Sequence, residues 1–278
     1  MLSHPRSPSL LLPWLATLGV VAAALAQTPS PPPVSPGPVT VLPAMTVHGE
    51  SLANYPLFPK ADVRPPGFGA SEPPLDLFFP GKAMAAGVTQ GMATVSVMLD
   101  ANGTATDYLI VRYTQPYFGE ALVQAAHRQK FTPRKVKGVA VPARFNFEYR
   151  FVPGTAVALS GFGAAQERLD EVHGGPQFLY EPHVERDIDG GGLALTESTV
   201  AYIPDGFQPT AGKPIRVLVT FYVDEAGRVR MPTVESAPSP LLIPNAIKAV
   251  SHWVFKPPTL KGKPVLVFAI WTVGFVAP

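Results

Sequence analysis

The chain has 278 residues, enough for one large domain or for two small ones with tails. Hydrophobic residues make up 46%, which supports packed cores, while a formal charge of +2 with 15% charged residues excludes a field suited to nucleic acid or a membrane surface. The absence of cysteine excludes disulfides, thiolate metal sites and thiol nucleophiles, and the 34 prolines point to extended connectors between compact pieces.

At the start of the chain Arg6 precedes an apolar run over residues 9–26, which closes on Ala24-Leu25-Ala26 before Gln27. A charged start, an apolar middle and an A-x-A close predict a secretory signal peptide over residues 1–26. The alternative is an uncleaved membrane anchor, for which the run is at the short end of the ~17–25 residues a spanning helix needs. Both readings put the rest of the chain outside the cytoplasm. Residues 27–78 read as a Pro-rich linker: prolines 29, 31, 32, 33, 36 and 38 favour polyproline II. Within it, Met45-Thr46-Val47 fits a short strand.

The strongest signal in the sequence is an internal repeat. Shifted by 124 positions, residues 91–151 lie on residues 215–275 without a gap, with eleven identical pairs over 61 positions. The pairs are Val95/Val219, Asp100/Asp224, Gly103/Gly227, Pro116/Pro240, Ala125/Ala249, Phe131/Phe255, Pro133/Pro257, Lys137/Lys261, Gly138/Gly262, Val141/Val265 and Phe151/Phe275. They fall where backbone geometry is demanding, and apolar positions largely keep the same phase.

In chain order, Ala93, Val95, Val97 and Leu99 alternate with Met92, Thr94, Ser96 and Met98, which predicts a strand with one buried face. Val217, Val219, Phe221 and Val223 do the same in the second copy. Asp100-Ala101-Asn102-Gly103 and Asp224-Glu225-Ala226-Gly227 read as hairpin turns, with the Asp side chain capping the backbone two residues on. A second strand is expected near residues 104–111 and 228–234. The period then changes: Phe118, Leu122, Ala125, Ala126 and Gln129, and Leu242, Ala246, Ala249, Val250 and Trp253, fall at helical spacing. Each helix stops before Phe131-Thr132-Pro133 or Phe255-Lys256-Pro257, and Gly138 and Gly262 mark a turn into the last strand. The fold class is α+β, as two tandem β-β-α-β units, each a three-stranded antiparallel sheet with one helix packed on it.

The segments VSVMLDANG (95–103), KFTP (130–133) and KGVAV (137–141), with VTFYVDEAGRV (219–229), NAIKAVSHWVFKPPTLKGKPV (245–265) and Phe275, resemble the TonB C-terminal domain. The second copy is the closer match, since the first has Gln129 where Trp253 stands and Ala140 where Pro264 stands. The resemblance implies a first TonB-like domain at 79–152, a linker at 153–202 and a second domain at 203–278. It implies a periplasmic, non-enzymatic protein of the energy-transducer type, without a cofactor. Expected partners are an outer-membrane TonB-dependent receptor or inner-membrane motor proteins, with membrane contact only if residues 1–26 stay attached. It also implies contact by β-addition, a partner segment pairing with the edge of the last strand. That edge maps to Arg144, Asn146, Glu148 and Arg150 in the first copy and to Phe268, Ile270 and Thr272 in the second. The first set reads as a water-facing row. The second is apolar on both faces, which asks for cover by the linker, by the other copy or by a partner.

Two other functions fit the sequence less closely. One is a structural scaffold in which the two domains pack together. The other is a hydrolase using the inter-repeat linker, for which the sequence offers no nucleophile elbow and no carboxylate pair. The six histidines show no metal-ligand spacing. Glu185-Arg186-Asp187-Ile188-Asp189-Gly190 has the opening of a calcium loop, but position twelve is Thr196, so a solvated acidic loop is expected.

Overall fold

The computed structural model describes residues 45–46, 57–69, 77–152, 155–158, 177–210 and 214–277. The signal-peptide reading of residues 1–26 and the polyproline reading of residues 28–43 lie outside the described residues. By contacts the chain divides into Met1–Pro38 and Val39–Pro278, and every described residue belongs to the second unit.

The architecture is mixed α+β, rich in strands, and both main sheets are antiparallel along their central strands. The first repeat begins with short pieces, β1 (Met45–Thr46), β2 (Val63–Arg64), β3 (Gly67–Phe68) and α1 (Gly81–Ala85). Its main elements are β4 (Gly91–Leu99), β5 (Ala105–Tyr113) and α2 (Pro116–Ala126). Three short strands, β6 (Phe131–Thr132), β7 (Arg134–Val136) and β8 (Val139–Val141), lead into β9 (Ala143–Val152) and β10 (Thr155–Ala158). The second repeat opens with β11 (His183–Val184), β12 (Leu195–Glu197) and β13 (Ala201–Tyr202). Then come β14 (Arg216–Val223), β15 (Val229–Ser236) and α3 (Ile243–Val250). β16 (Val254–Phe255), β17 (Thr259–Leu260), β18 (Lys263–Pro264) and β19 (Val267–Val276) end the chain.

Sheet order in the first repeat is β10-β9-β4-β5, and in the second β1-β19-β14-β15. The central strand is thus flanked by its hairpin partner and by the last strand in both repeats. The turns form as their chemistry requires. The Asp100 carboxylate accepts from the Asn102 and Thr104 amides, each at 2.8 Å, and Asp224 accepts from Ala226 at 3.0 Å and Arg228 at 2.8 Å. Gly103 and Gly227 sit at φ +85° and +82°, a region L side chains rarely adopt. A second turn in each repeat, at Lys137-Gly138 and Lys261-Gly262, has positive φ at both residues and joins β7 to β8 and β17 to β18.

α2 starts on Pro116, whose missing N–H falls where no helical bond would form. α3 is preceded by a 3-10 turn at Pro240–Leu242, with the Ser239 hydroxyl accepting from the Leu241 amide at 3.3 Å. The spacing is met by Phe118, Leu122, Ala125 and Ala126 in α2 and by Ala246, Ala249 and Val250 in α3, where Ile243 and Ile247 are buried as well; Leu242 is buried in the 3-10 turn, and Gln129 and Trp253 lie beyond the helix ends, so both helices stop earlier than the spacing predicts. The two repeats fill this part of the core with different residues. A Cβ on Gly91 would fall inside the Phe118 ring, and the 124-residue shift puts Ile215 and Leu242 at those two places.

Two further features depart from the sequence expectations. All nine residues of β4 are buried, where alternation predicts one wet face. Met98, with Val111, Val136 and Val141, joins the hydrophobic cluster of the second copy, while Thr94 and Ser96 are bonded by Glu148, Arg112 and Asn146 of the neighbouring strands. In addition, Met231 in β15 is buried at φ +54°, beside a register shift opposite residues 220–222. This is a β-bulge held in a strained conformation.

Candidate partner-binding edges

The candidate site is the outer side of each last strand, the side away from the central strand. In β9 the Arg144 amide donates outward, to the Thr233 hydroxyl at 2.8 Å. Backbone groups of an antiparallel strand alternate in direction, so Asn146, Glu148, Arg150 and Val152 also point outward. β10 pairs along the far end, with Val157 opposite Arg150 and Thr155 opposite Val152. β10 reaches Tyr149, which stands opposite Ala158, and between Arg144 and Glu148 no strand among the described residues pairs on this side; residues 159–176, which follow β10, lie outside the described residues.

The side chains of this row do not form the water-facing strip that the sequence suggested. The Arg144 guanidinium lies over the outer face of the second sheet. It donates to Thr220 Oγ1 at 3.1 Å and to the Met231 carbonyl at 3.4 Å, 5.1 Å from the Tyr222 ring centre and 5.3 Å from that of Phe268. Glu148 accepts from Thr94 at 3.0 Å and pairs with Arg112. Asn146 is exposed and accepts from Ser96, and Arg150 is half-buried.

The outer side of β19 carries strands along most of its length. β11 runs parallel to it at Val267 and Phe268, β1 antiparallel at Trp271 and Thr272, and β13 parallel at Phe275 and Val276. The predicted residues are therefore placed as follows: Phe268 is in register with Val184, Thr272 with Met45, and Ile270 falls between β11 and β1. All three are half-buried.

Residues 183–202, read from sequence as part of a linker, form a strap along the second copy. Glu185 is buried and accepts from the Trp271 indole at 2.8 Å. Asp189 accepts from Thr259 Oγ1 and from the Lys261 and Gly262 amides at 2.8–2.9 Å, and these bonds hold its carboxyl below the usual carboxylate range. The Trp253 indole donates to the Thr199 carbonyl at 2.9 Å, and Asn245 donates to the Tyr202 carbonyl at 2.8 Å. The oxygens of the calcium-like motif thus diverge toward different partners. Among the described residues no group of three His, Asp or Glu could hold a metal ion.

A second set of residues with no sequence signal joins the copies. Arg230 grips Asp107 with two bonds, at 2.8 and 2.6 Å, and donates to the Tyr108 carbonyl at 3.0 Å. Arg134 donates to the Val234 carbonyl at 2.7 Å and lies 3.7 Å from Glu235. Burial pushes the Arg134 guanidinium down from its usual range, opposed by Glu235 and reinforced by Arg144, while the bonds to Asp107 raise Arg230. Tyr180 donates to Glu225 at 2.6 Å and stacks on Tyr113, tying the end of the linker to both copies; burial raises its pKa.

Two of these contacts are related by the repeat. Arg144 lies over Phe268, its own counterpart under the 124-residue shift, and the counterparts of Arg230 and Asp107 are Thr106 and Met231, all four lining one cleft of about 370 Å³. A residue that meets its own counterpart is the mark of an isologous, twofold contact.

Residues 76–153 match the family described as Gram-negative bacterial TonB protein C-terminal. No curated protein and no solved structure matches the chain. The first repeat is therefore similar to a TonB C-terminal domain. This is a family of non-enzymatic protein-interaction domains, associated with the Gram-negative envelope and with energy transducers. No helix among the described residues is long and apolar enough to cross a membrane.

Proposed function

We propose that a chain carrying this domain is a non-enzymatic periplasmic binding protein of the transducer type, whose first copy holds the partner and whose second copy is a platform. A periplasmic location follows if residues 1–26 are an export signal, with 27–78 as linker, 79–152 and 203–278 as the two TonB-like domains and 153–202 between them. The carrying observation is the asymmetry of the edges: β11, β1 and β13 engage β19, whereas β9 has outward backbone groups at Asn146 and Glu148 with no strand beside them among the described residues. An unpaired strand edge is a template for an extended segment of another protein, here an outer-membrane receptor or a motor component.

Capture from an outer-membrane extract tests this assignment. Glu148→Pro removes an outward N–H and leaves the bonds to β4 in place, and Glu148→Gln controls for loss of the pair with Arg112. The proline variant is expected to lose the receptor band. The glutamine variant and Ile270→Pro are expected to keep it. Equal recovery with Glu148→Pro and the unaltered chain sinks the assignment.

The scaffold reading draws on a different observation, the three arginines and the shared hydrophobic cluster that join the copies. In that reading the two domains form a rigid spacer, and capture is indifferent to all three substitutions.

A further inference from the structure

Among the described residues, the part of β9 without a neighbouring strand is short for the role just assigned to it. Of its outward residues, Arg144 is engaged by Thr233 of the second copy, and Arg150 and Val152 by β10. That leaves Asn146 and Glu148, while strands in globular proteins usually run to about 5–6 residues. Disengaging Arg144 would extend the open run to five residues, 144–148, near the usual length.

Polar contacts hold the second copy at this end of β9, beside the apolar cluster that Met98, Val111, Val136 and Val141 share with the second copy. They are the Arg144 side chain on Thr220 and the Met231 carbonyl, Arg134 on Glu235 and the Val234 carbonyl, and Arg230 on Asp107. Among the described residues the main strands of the two copies do not pair with each other; the short β1 reaches β19, and arginines cap the edge carbonyls of β15 and β5. Charge pairs at the rim of such a joint weaken with salt.

We propose that the second copy gates the first: β9 accepts a partner strand only after the arginine joint opens and the Arg144 amide leaves Thr233. This inference rests on β9 being the partner edge, but its test needs no partner. The readout is hydrogen exchange of single amides in the full chain, followed by NMR. Arg144 reports the joint, and its neighbours Ala143 and Phe145, whose backbone groups face β4, report the sheet.

Raising salt from about 0.01 M to about 1 M shortens the Debye length from about 30 Å to about 3 Å, and is expected to speed Arg144 exchange about tenfold while Ala143 and Phe145 stay unchanged. Arg230→Ala at low salt is expected to move Arg144 the same way. An Arg144 rate that ignores both salt and the substitution overturns the gate. So does a rise shared equally by Ala143 and Phe145, which would mean the edge opens only when the sheet does. Failure here with receptor capture intact removes the gate and leaves the edge assignment standing.

Discussion

Arg134 is the residue whose environment makes the sharpest demand. Its side chain is about 10% exposed, caps the Val234 carbonyl and faces Glu235 across the joint. Replacing it with Met leaves a carbonyl and a carboxylate facing an apolar group, so Arg134→Met is expected to cost about 3 kcal/mol in urea denaturation. Asp189 makes the opposite case, an exposed carboxylate that acts through geometry. Its folded pKa lies below the ordinary value of 3.8, so its contribution is present above that value and is lost as pH falls through the folded pKa. Proteolysis of the strap at residues 190–192 is expected to accelerate below about pH 4, and Asp189→Asn to flatten that pH dependence.

At the scale of elements, the turns and helices were legible because their causes are local. Asp100, Gly103, Asp224 and Gly227 bond within four residues, and the helical faces of Phe118–Ala126 and Ile243–Val250 follow from spacing alone. Gly227→Ala is expected to destabilise more than Gly103→Ala. A Cβ on Gly227 would fall on the Phe255 carbonyl oxygen, whereas one on Gly103 would lie 2.6 Å from that of Phe131. Both should exceed Gly262→Ala, which meets only the positive φ, roughly 1 kcal/mol. The ordering is read from thermal midpoints. What stayed hidden was the company each edge keeps. Residues 183–202 have no period of their own and become strands only against β19 and β16. The Arg144, Asn146, Glu148 row shows the same limit: alternation marks it as one face of a strand, and nothing local says that another sheet lies against Arg144.

At the scale of the molecule, the joint turns two small domains into one body, because four apolar residues of the first copy sit in the core cluster of the second. Val136→Ala, a change in the first copy, is therefore expected to lower the midpoint of a single calorimetric transition by a few degrees, as about 2 kcal/mol does in a domain of this size. Two resolved transitions would show the copies melting independently. Glycine beneath phenylalanine in the first repeat has a consequence for biogenesis, because its counterpart in the second repeat is Ile215. Adjacent homologous repeats are prone to mispairing during synthesis, and any side chain at the place of Gly91 collides with Phe118, so α2 is closed to the strand of the other repeat.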